Sequence, residues 1–121
     1  MAVFVVDDSA IGREVVKKAL ELNGYSDVVE AEDGVDALEK IKKNTKKVEL
    51  YILDINMPKM DGLTLLGEIR KTDTSTPIVM LTTETDKGKM VKAKTLGATG
   101  WVIKPFDGEK FIKVVDMLLK G

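Results

Sequence analysis

A chain of 121 residues, 44% hydrophobic and 32% charged, is long and apolar enough to fold as one globular domain with a sizeable core. It has no cysteine and no histidine, which excludes disulfides, thiolate or imidazole metal sites, histidine general bases and phosphohistidine chemistry on the chain itself. A net charge of -1 gives no bulk attraction to nucleic acid or acidic membranes.

The opening run Val3 to Val6 is β-branched and aromatic and stops at Asp7-Asp8, which predicts a first strand. It meets charge far too soon for a signal peptide or membrane span, so a cytoplasmic location is the expectation. Ser9 suits the N-cap of a helix reaching Asn23-Gly24, with Ile11, Val15, Ala19 and Leu22 on its apolar face. Residues 27–31 (DVVEA) read as a second short strand. Asp33-Gly34 opens a helix with Val35, Leu38 and Ile41 inward, running into a lysine-rich stretch that ends at Lys47.

Leu50 to Leu53 forms an apolar strand closed by Asp54, and the loop Ile55-Asn56-Met57-Pro58-Lys59-Met60-Asp61-Gly62 follows at once. Gly62 to Lys71 is a helix with Leu63, Leu66 and Ile69 inward. After the polar turn Thr72–Thr76, Pro77 introduces a fourth strand, Ile78 to Thr82. Lys87 to Leu96 carries the weakest helical pattern, with only Met90, Val91, Ala93 and Leu96 available to a core. Trp101 to Ile103 is a fifth strand ending at Lys104-Pro105. Asp107 caps a last helix with Phe111, Val114, Val115 and Leu118 buried. There is no linker, repeat or low-complexity segment, so residues 1–121 read as a single domain.

Strict alternation of apolar strands and helices requires a parallel α/β sheet covered on both faces, with right-handed crossovers. Five pairs fit the doubly wound order 2-1-3-4-5 of flavodoxin-like folds, in which the site lies outside the carboxyl ends of the strands, at the switch point between the first and third. Those ends carry Asp7 and Asp8, Asp54, Thr82 and Lys104. Taken singly, each has a plain reading as a cap, a strand-end hydroxyl or a surface lysine. Together they put three carboxylates in one cleft, where crowded like charges need a counter-charge. Lys104 and a cation from solution are the available ones. Oxygen donors without nitrogen or sulfur suit a hard ion, and Mg²⁺ takes one or two carboxylates while leaving positions for a phosphate. A carboxylate beside Mg²⁺ is placed to attack phosphorus and form an acyl phosphate, with charge on the transferring group met by Lys104, the Thr82 hydroxyl and loop N–H groups.

On these residues the chain resembles the receiver domains of two-component response regulators, over essentially its whole length. The matching pieces are Asp7-Asp8, residues 54–58 (DINMP) with Asp61-Gly62, residues 81–84 (LTTE), and residues 100–106 (GWVIKPF). The resemblance implies that Asp54 is the phosphoacceptor, served by a histidine kinase. It implies Mg²⁺ held by Asp7 or Asp8, Asp54 and the Asn56 backbone carbonyl. It also implies Thr82 as switch and phosphoryl ligand, Lys104 as counter-ion, and a cis Lys104–Pro105 bond. Two departures from the family pattern are Trp101, where Tyr or Phe is usual as the switch aromatic, and Thr83, where a small residue is common. Asn56 and Glu84 flank the route of water to the phosphoryl group and are expected to set its lifetime. The basic segment Lys87, Lys89, Lys92, Lys94 reads as a solvated helix face ahead of an acidic-partner site.

Residues 9–12 and 97–101 look most like chemotaxis regulators of the CheY type, which implies phosphorylation-dependent docking on an output protein such as a flagellar motor switch component. Direct nucleic-acid or membrane binding is not expected, and neither is turnover of an independent substrate. A relay receiver and a receiver from a larger regulator are the near alternatives. A Mg²⁺-dependent phosphatase with an aspartate nucleophile needs a general acid where Asn56 stands. A flavin module fits poorly with Asp7-Asp8 in its phosphate loop.

Overall fold

In a computed structural model, which describes residues 1–105 and 107–120, hydrophobic runs and helical segments alternate throughout. The strands are β1 (Ala2–Val6), β2 (Val28–Ala31), β3 (Val48–Leu53), β4 (Ile78–Thr82) and β5 (Gly100–Ile103). The helices are α1 (Ala10–Leu22), α2 (Gly34–Lys43), α3 (Gly62–Arg70), α4 (Lys87–Leu96) and α5 (Gly108–Lys120). All strand pairs are parallel, in the order β2-β1-β3-β4-β5. Every residue of β1 and β4 is buried, as expected of strands covered on both faces.

Alternate strand residues feed two cores. Phe4, Val6, Tyr51, Leu53, Ile78 and Met80 face the layer of α2, α3 and α4. Val3, Val5, Leu50, Ile52, Val79 and Leu81 face α1 and α5, where Val16, Leu20, Phe111 and Val115 meet them. Fully burying side chains of this size is worth about 1.5–3 kcal/mol each. Among the described residues no helix is long and apolar enough to cross a membrane.

Helix starts follow the expected chemistry. Ser9, Asp33, Asp61 and Asp86 each accept a hydrogen bond from an N–H in the first turn of α1, α2, α3 and α4. Gly97 closes α4 at φ 105°, a left-handed conformation that glycine adopts without strain.

Three details correct the sequence reading. The inward face of α1 is Val16 and Leu20 with the expected Ala19 partly buried beside them, whereas Ile11 (80% exposed), Val15 (50%) and Leu22 (86%) lie along its outer flank. Both sets have helical spacing, and the packing of α1 on β1 and α5 selects the one that includes Leu20. Val35 is likewise exposed, its place taken by Ala37, while Leu38 and Ile41 do pack inward. Helix α2 stops at Lys43 because Asn44 turns extended at ψ 128°, and the Asn44 side chain bonds Lys46 N–H and C=O at 3.2 and 2.6 Å.

Candidate metal and phosphoryl site

The register of the sheet builds the site. Val6 pairs with Leu53, so Asp7 and Asp54 are the next residues on adjacent strands, and the Asp54 N–H donates to the Val6 carbonyl at 2.9 Å. Thr82 pairs with Ile103, and the Lys104 N–H donates to the Thr82 carbonyl at 2.9 Å. Four strand ends thereby deliver their polar residues to one rim. The Lys104–Pro105 peptide bond is cis. Phe106, the last residue of that matching stretch, lies outside the described residues.

One oxygen from each of Asp7, Asp8 and Asp54 lies within 4.8 Å of the others. Asp7 and Asp54 are buried and Asp8 is exposed. The Lys104 ammonium reaches Asp7 Oδ2 at 2.6 Å and Asp54 Oδ2 at 3.4 Å. Three carboxylates against this one ammonium leave two negative charges, which one divalent cation would balance. The donors are all oxygen, the set that hard cations prefer. The residues present therefore fit Mg²⁺.

Each acid is oriented by backbone. Asp7 Oδ1 accepts the Ser9 N–H at 2.9 Å, and Asp54 Oδ1 accepts the Ile55 N–H at 2.7 Å. Among the described residues Asp54 Oδ2 has only the long contact to Lys104 and is the freer oxygen. Gly62 packs against this turn so closely that a Cβ there would lie 1.9 Å from the Asp54 carbonyl oxygen.

Sequence reasoning missed Arg13. Its Nη1 donates to the Asp7 carbonyl at 2.6 Å and its Nε to Glu30 at 3.2 Å. It thereby fastens the acid pair to α1 and to the end of β2. The only signal for it is the spacing, six residues beyond Asp7, which a helix start converts into proximity. Gly12 was singled out only as part of residues 9–12, and its packing role is new: a Cβ there would meet Asp7 Oδ2 at 2.8 Å.

Thr82 is fully buried, and its hydroxyl accepts the Glu84 N–H at 3.1 Å. The Glu84 carboxylate in turn meets Lys89 Nζ at 3.0 Å, the N–H of the α4 cap Asp86 at 3.0 Å, and Asn56 Nδ2 at 3.5 Å. The hydrogen bond from Lys89 is the main reason the Glu84 carboxyl titrates below its ordinary range. Asn56, Glu84 and the start of α4 are thus one linked group. Trp101 is half-buried against the α2–α4 core, and its indole N–H is buried with no hydrogen-bond partner among the described residues.

Burial alone would pull the Lys104 amine down, but the hydrogen bond to Asp7 and the charge of Asp54 outweigh it and raise it above the ordinary 10.5. A raised amine stabilises the fold fully below its unfolded value, and this is lost as pH rises through the folded one. Urea midpoints of the wild type should therefore fall above about pH 10.5 by more than those of Lys104→Met. Parallel alkaline limbs for the two proteins would contradict this.

Comparison with known proteins places these features in context. The model of the response regulator receiver domain matches residues 3–116. Chemotaxis protein CheY1 of Helicobacter pylori is 37% identical over 121 residues, covering 98% of this chain and 97% of that protein. The structure of chemotaxis protein CheY4 of Vibrio cholerae superposes with a TM-score of 0.88 at 40% identity, covering 98% of each chain. That of TrrA from Thermotoga maritima, in complex with Mg²⁺ and BeF, gives 0.86 at 34% identity with the same coverage.

Proposed function

The chain belongs to the response regulator receiver family, a phosphorylation-activated class, and from that membership we propose that Asp54 accepts the phosphoryl group that switches it. The observation that carries this reading is the convergence of Asp7, Asp8, Asp54 and Lys104 at one end of the sheet. Asp7, Asp8, Asp54 and the Asn56 backbone carbonyl would hold Mg²⁺, which when bound shields the carboxylates and the phosphoryl oxygens from one another. Residues 1–121 act as one receiver domain, in the cytoplasm, without direct contact to nucleic acid or membrane.

The freer Asp54 oxygen attacks phosphorus as the P–N bond of a kinase phosphohistidine breaks, and the bonding electrons leave on the imidazole nitrogen. Lys104, already between Asp7 and Asp54, swings onto the incoming phosphoryl oxygens. Beside it a cleft lined by Gly12, Val15, Thr83 and Pro105 gives the donor its approach. The exposed Ile11 and Val15 offer that partner apolar surface nearby.

The acyl phosphate adds roughly two negative charges and three acceptor oxygens. Thr82 turns its hydroxyl toward them and releases the Glu84 N–H. Glu84 also holds the α4 cap, so the start of α4 is freed with it. The groove between α4 and β5, lined by Met90, Val91, Ala93, Ala98 and Trp101, then changes shape by as much as the two states differ in free energy. This is the surface proposed to dock an output protein. In view of the CheY relatives, we assign it to chemotaxis, with a flagellar motor switch component as the partner.

Incubation with acetyl phosphate and Mg²⁺ tests the reading. The wild type should gain the mass of one phosphoryl group and Asp54→Asn none. Steady release of phosphate from many monoesters would instead favour a phosphatase. The tuning role of Asn56 and Glu84 predicts that Asn56→Arg and Glu84→Ala each change the lifetime of the phosphorylated form several-fold. Unchanged decay in both variants would remove that role.

A further inference from the structure

The corner between β2 and α2 adds no acid to the cluster of Asp7, Asp8 and Asp54, yet it touches the site from both sides. On one side the Asp7 N–H donates to the carbonyl of Ala31, the last residue of β2, at 3.1 Å. On the other, the loop that follows Asp54 lies against the start of α2. A Cβ on Gly34 would stand 2.6 Å from Met60 Cβ, 2.7 Å from its Cγ and 2.8 Å from its Sδ. The Lys59 ammonium is 3.8 Å from Oδ2 of Asp33, the α2 cap, which is only 3% exposed.

The corner itself is braced. Asp33 Oδ1 accepts the Asp36 N–H at 2.8 Å, and Asp36 Oδ2 accepts the Glu32 N–H at 3.1 Å. Lys40 reaches back to Asp36 at 3.1 Å and to the Glu30 carbonyl at 2.6 Å. The loop, by contrast, carries strain. The Met60 N–H donates to the Pro58 carbonyl at 2.7 Å across Lys59, whose φ of 66° makes a γ-turn of the rare hand. Among the described residues Lys59 is the only non-glycine residue at positive φ. Such a conformation persists where its surroundings enforce it. The Asn56 carbonyl belongs to the same loop. It shares a rigid peptide plane with the Met57 N–H, which donates to the Ile55 carbonyl at 3.1 Å.

We propose that the corner formed by Ala31, Asp33 and Gly34 sets the spacing between the Asp7 carboxylate and the Asn56 carbonyl, with Gly34 and Lys59 as positioning residues for Mg²⁺. This rests on the Mg²⁺ reading above and adds residues that are not themselves ligands.

Calorimetric titration of the unphosphorylated protein with Mg²⁺ tests it. Gly34→Ala puts a carbon against Met60 Cβ, which only a shift of the loop backbone can relieve, and should weaken Mg²⁺ binding about tenfold. Lys59→Val and Lys59→Asn lose the same charge, but only asparagine adopts positive φ readily. The valine variant should therefore bind Mg²⁺ several-fold more weakly than the asparagine variant. Val115→Ala, a truncation in the core shared by α1 and α5, should lower the urea midpoint and leave Mg²⁺ affinity at the wild-type value. Wild-type affinity in Gly34→Ala, or equal affinity in the two Lys59 variants, would overturn the proposal and leave the Mg²⁺ reading intact. A loss in Val115→Ala as large as that in Gly34→Ala would also overturn it, since affinity would then follow stability alone. A wild type that binds no Mg²⁺ would overturn that reading and the proposal together.

Discussion

Gly62→Ala is expected to destabilise the protein by about 4 kcal/mol, among the largest effects of any single methyl group. The added carbon would lie 1.9 Å from the Asp54 carbonyl oxygen, 2.7 Å from its carbonyl carbon and 2.8 Å from the Ile55 Cα. All three are backbone atoms, so no side chain can swing aside to make room. Relief requires moving either the start of α3 or the turn after β3, and the Gly62 N–H bond to the Ile55 carbonyl at 2.8 Å ties the two together. The measurable result is a fall in Tm of roughly 15 °C. Gly67→Ala is the contrasting control. Its added carbon meets only Leu96 Cδ2, at 4.0 Å, so replacing a mid-helix glycine should stabilise by about 0.5–1 kcal/mol. Equal melting of Gly62→Ala and wild type would mean that the turn carrying Asp54 is not held as described.

Lys104→Met should slow phosphoryl uptake from acetyl phosphate by roughly 10²–10³-fold, the usual loss when one preorganised charge facing a transition state is removed. Methionine keeps the length and apolar stem of the side chain and deletes only the ammonium. Asp7 and Asp54 would then lose the contacts at 2.6 and 3.4 Å, and three carboxylates would face one another without a protein cation. Mg²⁺ should accordingly bind more tightly to this variant even as transfer slows. That opposite pair of changes separates loss of a transition-state contact from general damage to the site. A variant that takes up phosphate at the wild-type rate would remove Lys104 from the chemistry.

The site was legible because its chemistry is attached to strand ends. An apolar run that stops at Asp, Thr or Lys marks both the end of a strand and the identity of the residue there, and parallel pairing then brings those ends together. Thr82 and Lys104 are far apart in sequence, yet each follows from its own strand. The bounds expected for α4, Lys87 to Leu96, match those observed, and the structure supplies the reason: Asp86 caps its start and Gly97 closes it whatever its apolar content.

Features that depend on which of two equivalent patterns is packed were not legible. The Ile11, Val15, Leu22 set and the Val16, Leu20 set are both helical, and only the neighbours of α1 decide between them. The start of β3 is another case. Val48 and Glu49 follow a lysine run and look like loop, but Val48 pairs with Ala2 across an irregularity in the register. Arg13 escaped notice, and Gly62 was named only as part of a motif and a helix start, because their roles lie in distances to backbone atoms. Composition and periodicity carry no information about such distances.

Trp101 shows how a departure from the family pattern takes physical form. Its indole N–H is buried without an acceptor among the described residues, a condition that costs about 1–3 kcal/mol for a polar group removed from water. That cost weighs against the resting position of the ring. A phenylalanine would have no such group, and a tyrosine would carry its polar atom at the far tip of the ring.

The most direct measurement is to locate the phosphoryl group itself. After reaction with acetyl phosphate, reduction by borohydride converts an acyl phosphate on aspartate into homoserine, which peptide sequencing by mass spectrometry assigns to a position. Conversion at Asp54 alone, present with Mg²⁺ and lost when the ion is chelated, is the result expected from acids of neighbouring strands sharing one cation. Conversion at Asp7, Asp8 or any other acid, or labelling of Asp54 that is indifferent to chelation, would contradict it.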